Sequence, residues 1–138
     1  MKDKLSKVGR IKQARQERAG MFLAAAEQRL RDAQRQQENI DALAQDYASR
    51  VDSQENTPMA TAALCKRFSE QLSAAKDAQA GIVEAARTDV SRMLTDYARK
   101  RQETKLLRNL IEKRERIHKS NVLKKLARAQ TPKRTSKL

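Results

Sequence analysis

The sequence predicts an all-α fold: two long helices forming an uneven antiparallel coiled-coil hairpin. Three observations carry this. Ala, Glu, Lys, Leu and Arg supply 74 of the 138 residues, a composition typical of long helices and coiled coils. Apolar residues recur at steps of three and four along two segments, the spacing of a single helix face. One polar, turn-forming cluster, residues 52–58 (DSQENTP), lies between those segments. Leu, Ile, Val and Phe together number only 25, and 21 of the 53 apolar residues are alanine. A globular core is out of reach on those numbers, and a compact enzyme with it. A net charge of +14 with 3% aromatics could also describe a disordered chain, but the sustained periodicity argues for helix.

The first helix is expected over 4–52. One seven-residue row reads Leu5, Lys12, Ala19, Ala26, Ala33, Ile40, Tyr47. Its partner row is read as Val8, Arg15, Phe22, Leu30, Leu43, Val51, drifting by one position midway as a straight 3.6-residue helix would. The turn is expected at 53–57. Thr57 would cap the next helix through its hydroxyl, and Pro58 at the first helical position loses only a donor that has no partner there.

The second helix is expected over 58–129, with a basic tail at 130–138. Its stripe runs Cys65, Phe68, Leu72, Ala75, Gln79, Ile82, Ala86, Val90, Met93, Tyr97, with a stutter near Ala86 to Val90. It continues through Thr104, Leu107, Leu110 or Ile111, Arg114 and Ile117. Thr131 and Pro132 would stop it. At 1.5 Å per residue the arms measure roughly 75 Å and roughly 105 Å. With a turn near 55, residue i should face about 110 − i. Gly20 then faces position 90 and Gly81 position 29, and about twenty residues of the second helix project past the first. The chain length suits one domain, a single hairpin over 1–138.

Charge is distributed unevenly. Residues 1–18 carry net +5, residues 19–96 net −3 and residues 97–138 net +12. An antiparallel hairpin brings the two basic segments together, so one end of the rod carries +17. A solvated helix face, Coulombic attraction to nucleic acid or acidic lipid, and an acidic cavity in a protein partner are all compatible with such an end. The basic segment has no aromatics for base stacking and no reader motif. Apolar residues interleave with its charges, among them Leu106, Leu110, Ile117, Leu123 and Leu126, which favours a protein surface.

No chemistry-bearing constellation is present. His118, the single histidine, has no paired ligand motif, and Cys65 sits on the stripe as a small apolar residue that cannot form an internal disulfide. There is no phosphate loop and no metal-ligand spacing. No catalytic, cofactor or metal site is expected, and the chain is read as not an enzyme. The longest apolar run, Met21 to Ala26, is too short to span a bilayer. An intracellular protein without a secretory leader or membrane insertion is expected.

Two segments carry a family resemblance. Residues 65–79, with Cys65, Phe68, Leu72, Ala75 and Gln79, resemble the tyr-x-x-phe-x-x-x-leu-x-x-ala start of the second helix in the FliJ family. That family supplies the small coiled-coil stalk and chaperone-escort protein of the flagellar type III export apparatus. Cys65 stands where the family has an aromatic. Residues 99–114 (RKRQETKLLRNLIEKR) are similar to the family's basic segment, rk-x-x-k-x-leu-x-x-leu-x-x-x-arg. Injectisome stalk proteins share the same features.

The resemblance implies a cytoplasmic protein, peripherally associated with the inner-membrane export apparatus. Its basic paired termini would enter a hexameric export ATPase, promote its assembly and activity, and couple it to the membrane export gate. It would also escort export chaperones. Carried onto this sequence, the ATPase-binding set is Lys4, Lys7, Arg10, Arg99, Lys100, Arg101, Lys105, Arg108, Lys113, Arg114 and Arg116. The set contacting the cytoplasmic domain and linker of the gate is Gln36, Ile40, Leu43, Tyr47, Phe68, Leu72, Ala75 and Gln79. Those eight positions also belong to the expected coiled-coil seam. The alternatives are an injectisome homologue, a basic coiled-coil nucleic-acid or ribosome binder, and a homodimer in which the turn opens.

Overall fold

A computed structural model describes residues 2–52 and 58–130, and within them there are two helices and no strand: α1 over Lys2–Asp52 and α2 over Met59–Gln130. The two pack against each other as a helical hairpin. The Thr57 cap, the turn at 53–57 and the Thr131-Pro132 stop lie outside the described residues. Pro58 sits one position earlier than expected: its carbonyl accepts the amide of Ala62 at 2.9 Å, the first bond of α2, so it precedes the helix instead of opening it. Local pairs decorate both helices, among them Arg50–Asp46 and Arg87–Glu84. Being exposed and close in sequence, each is worth a few tenths of a kcal/mol at most.

Contacts group the chain into two compact units, one made of Ala19–Tyr97 and the other drawn from Met1–Arg18 and Ala98–Leu138. Within Ala19–Tyr97 the expected row Ala19, Ala26, Ala33, Ile40, Tyr47 does face α2, with Ala19 and Ala26 at 2% and 1% exposure. Its partner row differs from the expected one. Leu23, Leu30, Gln37 and Ala44 are half-buried, whereas Phe22, Leu43 and Val51 are exposed. The reason is the period. Because the alanine row keeps a strict seven-residue repeat, its partner must keep the same repeat three or four positions away. A row that drifts to collect the larger side chains leaves the interface.

The same logic reshapes α2. Cys65, Leu72, Gln79, Ala86 and Met93 form one row, and Val83, Val90 and Tyr97 the other. Val83 is 2% exposed, whereas Ile82, expected on the stripe, is exposed, as are Ala75 and Phe68. Reading the second row through Val83 removes the stutter. The alanines let the backbones approach, and Gln79 uses that proximity. Its Nε2 donates to the Ala33 carbonyl at 2.9 Å, a buried bond between the helices. Lys76 lies 3.6 Å from Asp41 Oδ1, an ion pair that leaves that buried oxygen without a hydrogen bond.

In the other unit the facing residues are Leu5, Gly9, Lys12 and Gln16 on α1 and Lys100, Thr104, Leu107 and Ile111 on α2, all half-buried except buried Thr104. The single hydroxyl proton of Thr104 is shared between Lys100 O of its own helix, at 2.9 Å, and Lys12 O across the interface, at 3.3 Å. Lys12 Nζ meets Glu103 Oε2 at 3.2 Å, and Arg108 Nη2 donates to Gln13 Oε1 at 3.4 Å. Residues 112–130 are exposed throughout, so Arg114 and Ile117 leave the stripe. Contacting pairs across the helices sum to 112 for Gln79 and Ala33 and to 121 for Arg108 and Gln13, so the register runs past the expected 110.

The glycines separate on the same grounds. A Cβ at Gly20 would lie 3.3 Å from the Tyr97 ring, a close packing site, but with Tyr97 where position 90 was expected. At Gly81 a Cβ meets nothing within 4 Å. Gly81→Ala should therefore raise stability by about 0.5–1 kcal/mol through helix propensity alone. Ala26→Leu should lower it by about 1–3 kcal/mol, because the seam there has no room for a larger side chain. Urea melts followed by helical circular dichroism measure both; a neutral Ala26→Leu would contradict the close seam.

Candidate functional site

All eleven residues of the expected ATPase-binding set fall in the unit drawn from Met1–Arg18 and Ala98–Leu138. Lys4, Lys7 and Arg10 on α1 are exposed, as are Arg99, Arg101, Lys105, Arg108, Lys113, Arg114 and Arg116 on α2. Lys100 differs, being half-buried on the facing row. The charge division coincides with the structural one: the sequence segments of this unit carry +17, those of Ala19–Tyr97 carry −3, and Tyr97 at the boundary is neutral. The folding pattern therefore gathers cations on one unit, where their field adds.

That unit also holds an open cleft of about 540 Å³ between its segments of α1 and α2. Gly9 lines it, as do Leu107 and Ile111, with Arg10 and Arg108 beside the carboxylates of Asp3, Glu112 and Glu115. Sequence reasoning missed this cleft. Its one signal was Gly9, a residue without a side chain at a facing position.

The eight residues of the expected gate-binding set lie in Ala19–Tyr97. Four belong to the helix interface: Ile40 and Tyr47 are half-buried, and Leu72 and Gln79 are buried. Gln36, Leu43, Phe68 and Ala75 are exposed, which corrects their assignment to the seam. In a seven-residue repeat they occupy the rows that flank those four. The Phe68 ring meets Tyr47 edge-on across the helices, centroids 4.6 Å apart, so the two flanking rows open on one side. Phe22 and Ile82, both exposed, continue the same rows and were not in the expected set. Exposed apolar side chains therefore border the seam, on rows that also carry Arg29, Gln36 and Arg50.

Cys65 lies at the edge of this cluster. The Tyr47 hydroxyl is held above its usual 10.0, first by a hydrogen bond with the Cys65 thiol, then by desolvation and by the charge the thiol can carry. Among the described residues no cluster of His, Cys, Asp or Glu could hold a metal ion, and no helix is long and apolar enough to cross a membrane.

The chain matches the flagellar FliJ protein family over residues 1–128. It belongs to the FliJ family. No curated protein and no solved structure matches it. Membership makes the chain a component of flagellar protein export, in a FliJ family of structural export proteins and not of enzymes. The interface residues of this FliJ-family chain are thus to be judged as binding surfaces.

Because the Tyr47 value is raised in the folded state, the stability it contributes is fully present below pH 10.0 and is lost as pH rises through the higher folded value. Cys65→Ala removes the largest cause, so phenolate absorbance should develop at lower pH in that variant. An unchanged alkaline titration would show that the thiol does not control Tyr47.

Proposed function

We propose that this FliJ-family chain is a central-stalk-like export component that acts by binding, without hydrolysing nucleotide. Its basic unit enters the hexameric export ATPase and promotes ATPase assembly and activity. The apolar flank of Ala19–Tyr97 engages the cytoplasmic domain and linker of the membrane export gate, coupling the two. The chain works in the cytoplasm at the membrane-bound apparatus and also escorts export chaperones. The observation that carries this reading is the division of charge between the two compact units, +17 against −3. An acidic cavity and an apolar gate surface need different faces, and the net positive charge lies in the other unit from Leu43, Phe68 and Ala75.

The ATPase contact rests on Lys4, Lys7, Arg10, Arg99, Lys100, Arg101, Lys105, Arg108, Lys113, Arg114 and Arg116. The gate contact rests on Gln36, Leu43, Phe68 and Ala75, which present side chains. Ile40, Tyr47, Leu72 and Gln79 hold the helices that carry them. No specific nucleic-acid site and no membrane insertion belong to this function.

Hydrolysis by the cognate export ATPase, titrated with this chain at physiological salt, tests the proposal. Stimulation should saturate near one chain per hexamer and survive excess duplex DNA. Charge reversal at Arg99, Arg101 and Lys105 should abolish stimulation while helicity is retained. Leu43→Ala with Phe68→Ala should weaken gate binding and leave ATPase stimulation intact. Stimulation that DNA erases, or that survives charge reversal, would point to a general polyanion binder.

A further inference from the structure

The two units differ in the charge carried by their paired helix segments. In Ala19–Tyr97 the α1 strand (19–52) carries net −2 and the α2 strand (58–96) is neutral, so nothing electrostatic opposes their pairing. In the other unit α1 carries +5 over residues 2–18 and α2 carries +9 over residues 98–130. Two like-charged strands lie side by side there. The apolar attraction that should offset this repulsion is also weaker. Every buried apolar residue among the described residues, namely Ala19, Ala26, Ala33, Leu72 and Val83, lies in Ala19–Tyr97. Among the described residues of the basic unit the only buried one is Thr104.

The facing rows of the basic unit explain the difference. Lys12, Gln16 and Lys100 occupy positions that an apolar coiled coil fills with Leu or Ile. Gly9 contributes no side chain, and the cleft of about 540 Å³ opens where it stands, between Leu107 and Ile111. A Cβ at Gly9 would meet Ile111 Cδ1 at 3.7 Å, ordinary contact, so the gap is not a requirement of close packing. What joins the strands is polar: the Lys12–Glu103 pair at 3.2 Å, the Thr104 bond to Lys12 O at 3.3 Å and the Arg108–Gln13 bond at 3.4 Å. Lys12 and Glu103 are exposed enough for salt and water to compete for them.

We propose that the two strands of the basic unit separate and close as a switch governed by surrounding negative charge, while Ala19–Tyr97 stays zipped. In dilute salt the repulsion between +5 and +9 opens the pair. Counterions, or an acidic surface closing around both strands, remove the repulsion and let Leu5, Leu107 and Ile111 meet. The state that fits an acidic cavity is then completed by that cavity. This conclusion stands on the charges and the seam, and does not require the export ATPase to be the acidic surface.

Spin-label distance measurements in full-length chain carrying Cys65→Ser test it. One pair, Ser6→Cys with Asn109→Cys, reports the basic unit; another, Ala42→Cys with Ala74→Cys, reports Ala19–Tyr97. All four positions are exposed and uncharged. Between about 0.01 M and about 1 M sodium chloride the Debye length falls from about 30 Å to about 3 Å. The first pair should shift from a broad, long distribution to a narrow, short one over that range, and polyglutamate at low salt should produce the same shift. The second pair should not move. Adding Lys12→Leu and Lys100→Leu should narrow the first distribution at every salt concentration. A first pair equally narrow at both salts would overturn the proposal, and so would a second pair that broadens together with the first. Neither result bears on ATPase stimulation, which fails or holds separately.

Discussion

The close approach of two helices along a row of alanines is the constraint on which the rest depends. Ala19, Ala26 and Ala33 give the interface almost no side-chain volume, so the backbones themselves come near each other. Only at such a distance can Gln79 reach the Ala33 carbonyl across the gap at 2.9 Å. That bond in turn selects among registers which an alanine repeat would otherwise make nearly equivalent, since a seven-residue slip replaces alanine with alanine. A buried polar contact is a well-attested way of fixing register in coiled coils. Here it acts where packing alone discriminates poorly.

A strict seven-residue repeat has a second effect: it decides which large side chains stay outside. Phe22, Leu43 and Ile82 are apolar and long, yet the repeat turns them to solvent. Coiled-coil stability alone would bury them. Their exposure, with that of Phe68, gives Ala19–Tyr97 apolar side chains outside its seam. The basic unit follows the opposite plan, with a polar seam and a dense external charge. One chain thus carries a firm surface for shape and a loosely held one for charge.

The fold class was legible in the sequence because composition, period and a single turn cluster agreed. So was the alanine row, since a seven-residue spacing from Leu5 to Tyr47 has no competing reading. The partner rows were misread because apolar size was allowed to outweigh period: Phe22 and Leu43 looked like core, and the true partners include Gln37 and Ala44. The same preference selected Ile82 over Val83 and created a stutter that the helix does not have. Register was misjudged because it was set from a turn centred near 55, whereas the pairs drift from a sum of 112 at Gln79 and Ala33 to 121 at Arg108 and Gln13. For the candidate surfaces, the charge segregation was readable residue by residue. The division of the gate-facing set into four interface and four exposed residues was not, because it depends on which side of the seam each row falls.

The scarcity of large buried side chains has a thermal corollary. The heat-capacity increment of unfolding grows with the apolar surface exposed and falls with the polar surface exposed. Among the described residues the buried apolar set is three alanines, one leucine and one valine, while two long helices release a great deal of peptide backbone on melting. The increment per residue should therefore fall below the about 12–15 cal/mol/K usual for globular domains. A small increment flattens the stability curve, so the hairpin's modest free energy varies little between cool and warm surroundings. Cold denaturation is displaced far below the freezing point. Thermal robustness of this kind comes from the breadth of the curve, with no need for a deep core.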